Sequence, residues 1–354
     1  MLSDQNSNNT ILKIWSFQWS KIFLGISITL ICLIIAGSFG SVWISPLEIF
    51  WIIASQIPIL DINHANNPTF QDILFKVRFP RVILALVAGA GLAVAGATYQ
   101  GLFKNPLADP YLIGVASGSS LAATIVFMTG IPFFIWGLSI LPIASFIGGI
   151  ITVSIAYLIS KKSSQTHLTI LILAGVAIGS FCTAISSMLM LHHDPDLRSL
   201  ISWLMGSFIN AQWNHTILII IYALPSFGII FIYSRIINTL QLDEDYASSL
   251  GVNVQKTKII LIVSATLITS SIVSFTGLIG FVGLIAPHTI RILFGNNYRN
   301  ILPLSALLGG CFLVLSDLIA RTIIMPSELP VGLITAFFGA PFFIYLLIQK
   351  KNIL

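Results

Sequence analysis

Residues 78–114 read RFPRVILALVAGAGLAVAGATYQGLFKNPLADPYLIG. Between the cations at the start and Lys104 near the end, residues 80–101 form a continuous apolar run whose one charge is Arg81. A helix needs roughly 20 such residues to cross the hydrocarbon of a bilayer, so the run predicts a membrane span. Within it Ala85, Gly89, Ala93, Ala97 and Gly101 recur every four residues, with Gly91 and Gly96 beside them. One stripe of this helix is almost without side-chain bulk, which lets another helix approach closely. Its plainest use is as a packing face within the chain, and that makes the helix central. Gly148–Gly149 and Gly309–Gly310 supply similar patches.

The rest of the chain follows the same pattern. Of 354 residues, 56% are hydrophobic and only 8% charged, with mean hydropathy +0.97. Soluble globular chains carry about 25% charged residues. At roughly 150 residues per domain the length alone suggests two soluble domains, but 17 Lys+Arg and 12 Asp+Glu are too few to coat their surface. Disorder, a disulfide scaffold and a soluble α/β enzyme are excluded together, since each needs a polar surface, dense cysteine or both. Cys32, Cys182 and Cys311 each sit inside an apolar run and read as small packing residues.

Ten apolar runs qualify as spans, near 22–42, 80–101, 111–129, 138–160, 170–190, 214–234, 258–276, 278–294, 301–320 and 330–348. The expected fold class is an all-α integral membrane bundle of about ten transmembrane helices. An even count places both termini on one side, and Lys and Arg mark the cytoplasmic side. With cytoplasmic termini, Lys13, Lys21, Lys104, Lys161, Lys162, Arg235, Lys256, Lys258, Arg291, Arg299, Lys350 and Lys351 fall inside, which is 12 of the 17 cations. The net charge of +5 then reflects orientation in membrane lipid rather than nucleic-acid binding. Residues 1–21, rich in Asn, Ser and Gln, read as a cytoplasmic tail lacking the charged n-region and cleavage site of a signal peptide. Residues 22–348 form a single transmembrane domain and 349–354 a cytoplasmic C-terminal tail.

The remaining cations oppose the topological bias. Lys76, Arg78 and Arg81 cluster at the outer mouth of the second span, Arg198 lies between the fifth and sixth, and Arg321 ends the ninth. Asp317 precedes Arg321 by four residues, a spacing that puts both on one helix face. These cations serve either as interfacial anchors or as a docking patch for an acidic partner or anionic solute. Carriers driven by ion gradients bury ionisable residues at the midplane, whereas Asp109, His167 and Asp317 all fall near the ends of spans. The sequence has no phosphate-binding loop and no G-x-S-x-G elbow. The adjacent His192, His193, Asp194 and Asp196 lack the spacing of a zinc helix. No cofactor and no metal are expected, and the motor of any active transport must be another polypeptide. The inner connection 235–257, RIINTLQLDEDYASSLGVNVQKT, is the one with dense charge. Asp243, Glu244 and Asp245 open a short helix in keeping with its macrodipole. Ala247 and Leu250 give that helix an apolar side, and Gly251 can end it. Such a helix either fits a groove on a soluble partner or is a solvated loop.

Residues 78–114, together with GLIGFVGLIAPHTIR at 277–291 and ELPVGLITAFFGAPFFIYLL at 328–347, resemble the FecCD family of ABC importer permeases. The likeness runs from about residue 40 to the C-terminus in the family's order. It implies the type II ABC importer permease fold, with ten helices, in the bacterial cytoplasmic membrane. It also implies a dimer of permease subunits, two cytoplasmic ATPase subunits and an extracytoplasmic binding protein. On this likeness Arg78 and Arg81 of RFPR, with Arg321, receive glutamates from the binding protein. Residues 235–257 resemble the coupling segment, whose L-G-V-x-V ending stands here as Leu250 to Val254, so Asp243, Glu244, Ala247, Leu250 and Gly251 face the ATPase. His167, Leu168 and Thr169 resemble the inner gate region, where the family has a run of small hydroxyl residues. The function implied is a permease, not an enzyme, passing a bulky metal chelate between two copies of itself. Iron–siderophore or haem comes first, cobalamin second and molybdate-type oxyanions third. An ion-driven secondary carrier is the reading from another class.

Overall fold

The structure is a computed structural model that describes residues 19–56, 67–129, 134–135, 138–161, 168–192 and 197–351. Most of the N-terminal tail, Lys162, His167, His193, Asp194, Asp196 and residues 352–354 lie outside the described residues.

Helix α1 (Trp19–Ser38) is followed by α2 (Pro46–Ser55) and α3 (Pro68–Asp72), two short helices in what the sequence reading treats as a connection. Ser45 and Asn67 cap them by accepting backbone N–H groups, and Pro occupies the first position of each. A π-helical segment, Ile73–Arg78, joins α3 directly to α4 (Phe79–Leu102), so the second span belongs to a helix of 35 residues beginning at Pro68. A 3₁₀ turn at Pro110–Ile113 leads into α5 (Val115–Met128), followed by α6 (Ile140–Lys161), α7 (Leu168–His192) and α8 (Leu197–Leu204). Then come α9 (Trp213–Ile232), α10 (Ser234–Leu242), α11 (Glu244–Ser249) and α12 (Val254–Thr276). The chain continues with α13 (Val282–Phe294), α14 (Tyr298–Thr322) and α15 (Val331–Lys351). The strand structure among the described residues is a two-residue ladder pairing Phe134–Ile135 with Leu138–Ser139.

Every apolar run holds a helix, but the runs are not equivalent. Seven helices among the described residues are long and apolar enough to cross a membrane, while α5, α13 and the apolar stretch Val331–Tyr345 are shorter. The runs near 111–129 and 278–294 are therefore not continuous helices. Gly114, at φ +92°, separates the 3₁₀ turn from α5. Gly277 at φ +71° and Phe281 at φ 69° leave a non-helical stretch between α12 and α13. Irregular backbone of this kind must be satisfied by protein when it lies in a bilayer. Here Ser207 donates to Thr276 O at 2.9 Å, Val331 to Gly206 O at 2.9 Å and the Tyr111 hydroxyl to Ile279 O at 3.0 Å.

The small-residue stripe does what its spacing implies. Ala85, Ala93 and Ala97 have no exposed surface, and α4 packs antiparallel along α14. Arg81 meets Asp317 at one end, and Gly101 lies against Tyr298 at the other. Gly89 stands so close to the Gly309 backbone that a Cβ there would also fall 2.8 Å from Leu313 Cβ. α12 is held to α6 by Ser270, whose hydroxyl donates to Phe146 O at 2.9 Å, and to α4 by the Tyr99–Thr266 hydroxyl pair at 2.9 Å.

Candidate functional site

The π segment and the start of α4 turn Arg78 and Arg81 toward α1 and α14, and Arg321 joins them from the end of α14. All three line one cleft of about 690 Å³, together with Gly40, Ser41, Met325 and Glu328. They are not splayed toward solvent, being 4%, 8% and 8% exposed. The Arg81 guanidinium grips Asp317 at 2.8, 3.0 and 3.1 Å, and through its other terminal nitrogen it grips Glu328 at 2.8 and 3.1 Å. The Arg78 guanidinium donates to the carbonyls of Gly37 and Ser38, where α1 ends, and to that of Val42 in the turn beyond it. Arg321 donates to Ala36 O. Its Nε lies 3.7 Å from Asp317 and has no hydrogen-bond partner among the described residues.

The i,i+4 pair of Asp317 and Arg321 is thus present but secondary, because Arg81 from a different helix holds Asp317 more tightly. Lys76 takes no part. It pairs with Asp72 at 2.9 Å on the exposed side. Three guanidinium groups against two carboxylates leave one positive charge in the cleft. Sequence reasoning missed Glu328, although the residue opens the ELPVG stretch; its signal was an acid set beside a span end that also carries cations.

At the opposite end of α4 lie the helices read as a coupling segment. Asp243 caps α11, its carboxylate accepting the Glu244 N–H at 2.7 Å. Glu244 binds Lys258 of α12 at 2.6 Å, with the Lys258 side chain only 5% exposed. Ala247 is fully buried within the chain itself. The apolar residues of this segment are therefore divided: Ala247 anchors α11 to its own protein, while Leu242 at the end of α10, Tyr246 within α11 and Leu250 just past its end are 67%, 52% and 60% exposed. Gly251 follows at φ +82° with open space around it, as a left-handed helix end requires. Beneath it α10 is bound to the bundle, Gln241 donating to Gly101 O at 2.5 Å and Asn238 to Asn297 at 3.0 Å. Arg291 of α13 completes this layer by donating to Gln100 and to the Tyr298 hydroxyl, both at 3.0 Å.

Of the gate region, His167 lies outside the described residues, Leu168 is half-buried and Thr169 exposed. Further along α7 a run of small and hydroxyl residues, Gly175, Gly179, Ser180, Thr183 and Ser187, lines an open groove of about 560 Å³ with Ser117 and Tyr111. Exposed hydroxyls on a membrane helix favour water or a polar solute over lipid. Nearby, Asp109 caps the 3₁₀ turn by accepting Tyr111 N–H at 2.8 Å. Its burial pushes the carboxyl up to about 6, opposed by that backbone hydrogen bond.

A helical membrane bundle with a cationic cleft at one end, a tethered amphipathic helix at the other and a hydroxyl-lined groove between them has the architecture of a membrane permease. Comparison with known proteins makes this specific: the chain belongs to the FecCD transport family, which it matches over residues 28–349. It is 37% identical to the ABC transporter permease protein YvrB of Bacillus subtilis over 344 residues, 97% of each chain. It is also 37% identical to the hemin transport system permease protein HmuU of Yersinia pestis over 294 residues, 82% of this chain and 87% of that one. A solved inward-facing conformation of a metal-chelate type ABC transporter superposes with TM-score 0.81 at 31% identity, covering 94% of this chain and all of the other. Family members named for cobalamin and Fe(3+)-citrate import lie at similar identity. The chain is thus an ABC transporter permease and a multi-pass protein of the bacterial inner membrane. It is not an enzyme, and ATP hydrolysis belongs to a separate chain.

Proposed function

We propose that this permease imports a bulky metal chelate, working as two copies of itself with two cytoplasmic ATPases and an extracytoplasmic binding protein. It crosses the membrane ten times with both termini cytoplasmic, α5, α13 and α15 serving as the shorter crossings. The observation that carries this reading is the arginine cleft, whose one uncompensated positive charge lies at the end of α4 opposite α11. Such a cleft suits the carboxylates of a docking partner, and Arg321, with a spare Nε, is the residue best placed to receive one. The exposed Leu242, Tyr246 and Leu250 suit a groove on the ATPase, so the two partners act on opposite ends of the same helices. Two copies facing each other through α7 enclose a path of small and hydroxyl residues. Such a lining binds weakly and lets a large solute pass. Iron–siderophore or haem is favoured as the solute, because the superposing structure is named for the metal-chelate type and a 37% identical relative is named for hemin.

The test is capture of a cognate extracytoplasmic binding protein by the chain in nanodiscs. Arg321→Gln is expected to weaken capture at least tenfold while the purified protein keeps its retention volume. Undiminished capture by this variant rejects the docking assignment. Reporter fusions at residues 10 and 352 check the termini, and an extracytoplasmic signal at either overturns the orientation.

A further inference from the structure

Away from the arginine cleft, α6 and α12 enclose an apolar groove of about 330 Å³ that opens toward the α11 end of the bundle. Its walls include Ile150, Val153 and Leu158 of α6 and Ile259, Val263 and Leu267 of α12. The helices are antiparallel, with Ser270 of α12 bonded to Phe146 O of α6 near their far ends. In that register Lys161 and Lys256 come to one level, each about a helical turn beyond the groove on its own helix. Both side chains are exposed. Neither forms an ion pair among the described residues, and Glu244, the acid of α11 that reaches α12, is taken by Lys258.

The length of the groove identifies its occupant. From the level of Ile150 and Leu267 to that of the two lysines is a helical rise of about 16 Å. That is roughly half of the ~30 Å hydrocarbon core, the depth of one leaflet. An acyl chain lying in the groove thus reaches from the midplane to the interface and brings its phosphate between two ammonium groups. Basic sites between membrane helices favour anionic headgroups. A second copy of the chain would bring further lysines to the same place, and a neutral lipid would leave the pair uncompensated.

We propose that the α6–α12 groove, closed at its mouth by Lys161 and Lys256, is a binding site for an anionic phospholipid. The site does not depend on the transport reading. The test is native mass spectrometry of the full-length chain in dodecylmaltoside with equimolar dioleoyl-phosphatidylglycerol and dioleoyl-phosphatidylcholine. The wild type is expected to retain the glycerol lipid several-fold over the choline lipid, and Lys161→Gln with Lys256→Gln to bring that ratio close to one. Val263→Trp, at a half-exposed wall position, is expected to lower adducts of both lipids without altering retention volume. A wild-type ratio near one, a ratio unchanged in the double glutamine variant, or adducts undiminished by Val263→Trp overturns the proposal. A dimer peak that Val263→Trp abolishes, with no lipid preference, assigns the groove to a second copy instead.

Discussion

Asp317→Asn is the substitution from which the arginine cleft makes its sharpest prediction. Asp317 is 1% exposed, accepts three contacts from Arg81 between 2.8 and 3.1 Å, and is the acid nearest Arg321 at 3.7 Å. Neutralising it leaves Arg81 with Glu328 alone and leaves Arg321 without a carboxylate within ion-pair distance among the described residues. Removing one partner from a buried ion pair costs about 3–5 kcal/mol, mostly the penalty of the stranded charge. Glu328 is different. Its side chain is 30% exposed and engages a single Arg81 nitrogen, so Glu328→Gln is expected to cost about 1 kcal/mol or less. The assay is equilibrium unfolding of the purified permease in mixed SDS–dodecylmaltoside micelles. A double-mutant cycle over Arg81→Ala and Asp317→Ala should give a coupling of about 2 kcal/mol, within the range for contacting residues. If Asp317→Asn lies within 1 kcal/mol of wild type, or costs less than Glu328→Gln, the cleft is not organised around Asp317 and the argument fails.

Three further outcomes are expected. At the α11 end, Leu250→Asp should abolish stimulation of the partner ATPase while leaving the permease stable. Ala247→Glu should lower stability of the permease itself by several kcal/mol, because it buries an unpaired charge; equal thermal stability of the two variants would show that Ala247 faces outward after all. Gly89→Ile should disrupt α4–α14 packing and cut the yield of folded protein, checked by size exclusion after extraction, whereas Gly228→Ala, in open space on α9, should be silent. Asp109, its carboxyl raised to about 6 from an ordinary value near 3.9, stabilises the fold in its protonated form. That contribution is complete below about pH 4 and lost as pH rises through 6. Asp109→Asn keeps the cap on Tyr111 and should flatten the melting temperature between pH 4.5 and 7, a dependence as steep as wild type being the contrary result.

How far the sequence reaches follows from what kind of physics sets each feature. Hydropathy and run length are local, so the membrane bundle, the ten runs and the central helix at 80–101 are all legible before any folding. The small-residue stripe is local too, and its partner at Gly309–Gly310 can be guessed from the same signature. The quoted motifs were enough to recognise the family. The site's internal wiring was not legible. Arg81 finds Asp317 and Glu328 at sequence separations of 236 and 247 residues, and nothing in RFPR says whether its arginines face solvent or one another. Ala247 and Leu250 look alike in sequence, yet one is buried in its own chain and the other exposed. In a soluble protein, alternation of polar and apolar residues reveals the inner face of a helix. In this chain both faces of most spans are apolar, since lipid and protein interior reward the same side chains. Which face meets a neighbour, which lines a groove and which cations are held by carboxylates were therefore decided only by the register of antiparallel helices in the folded bundle.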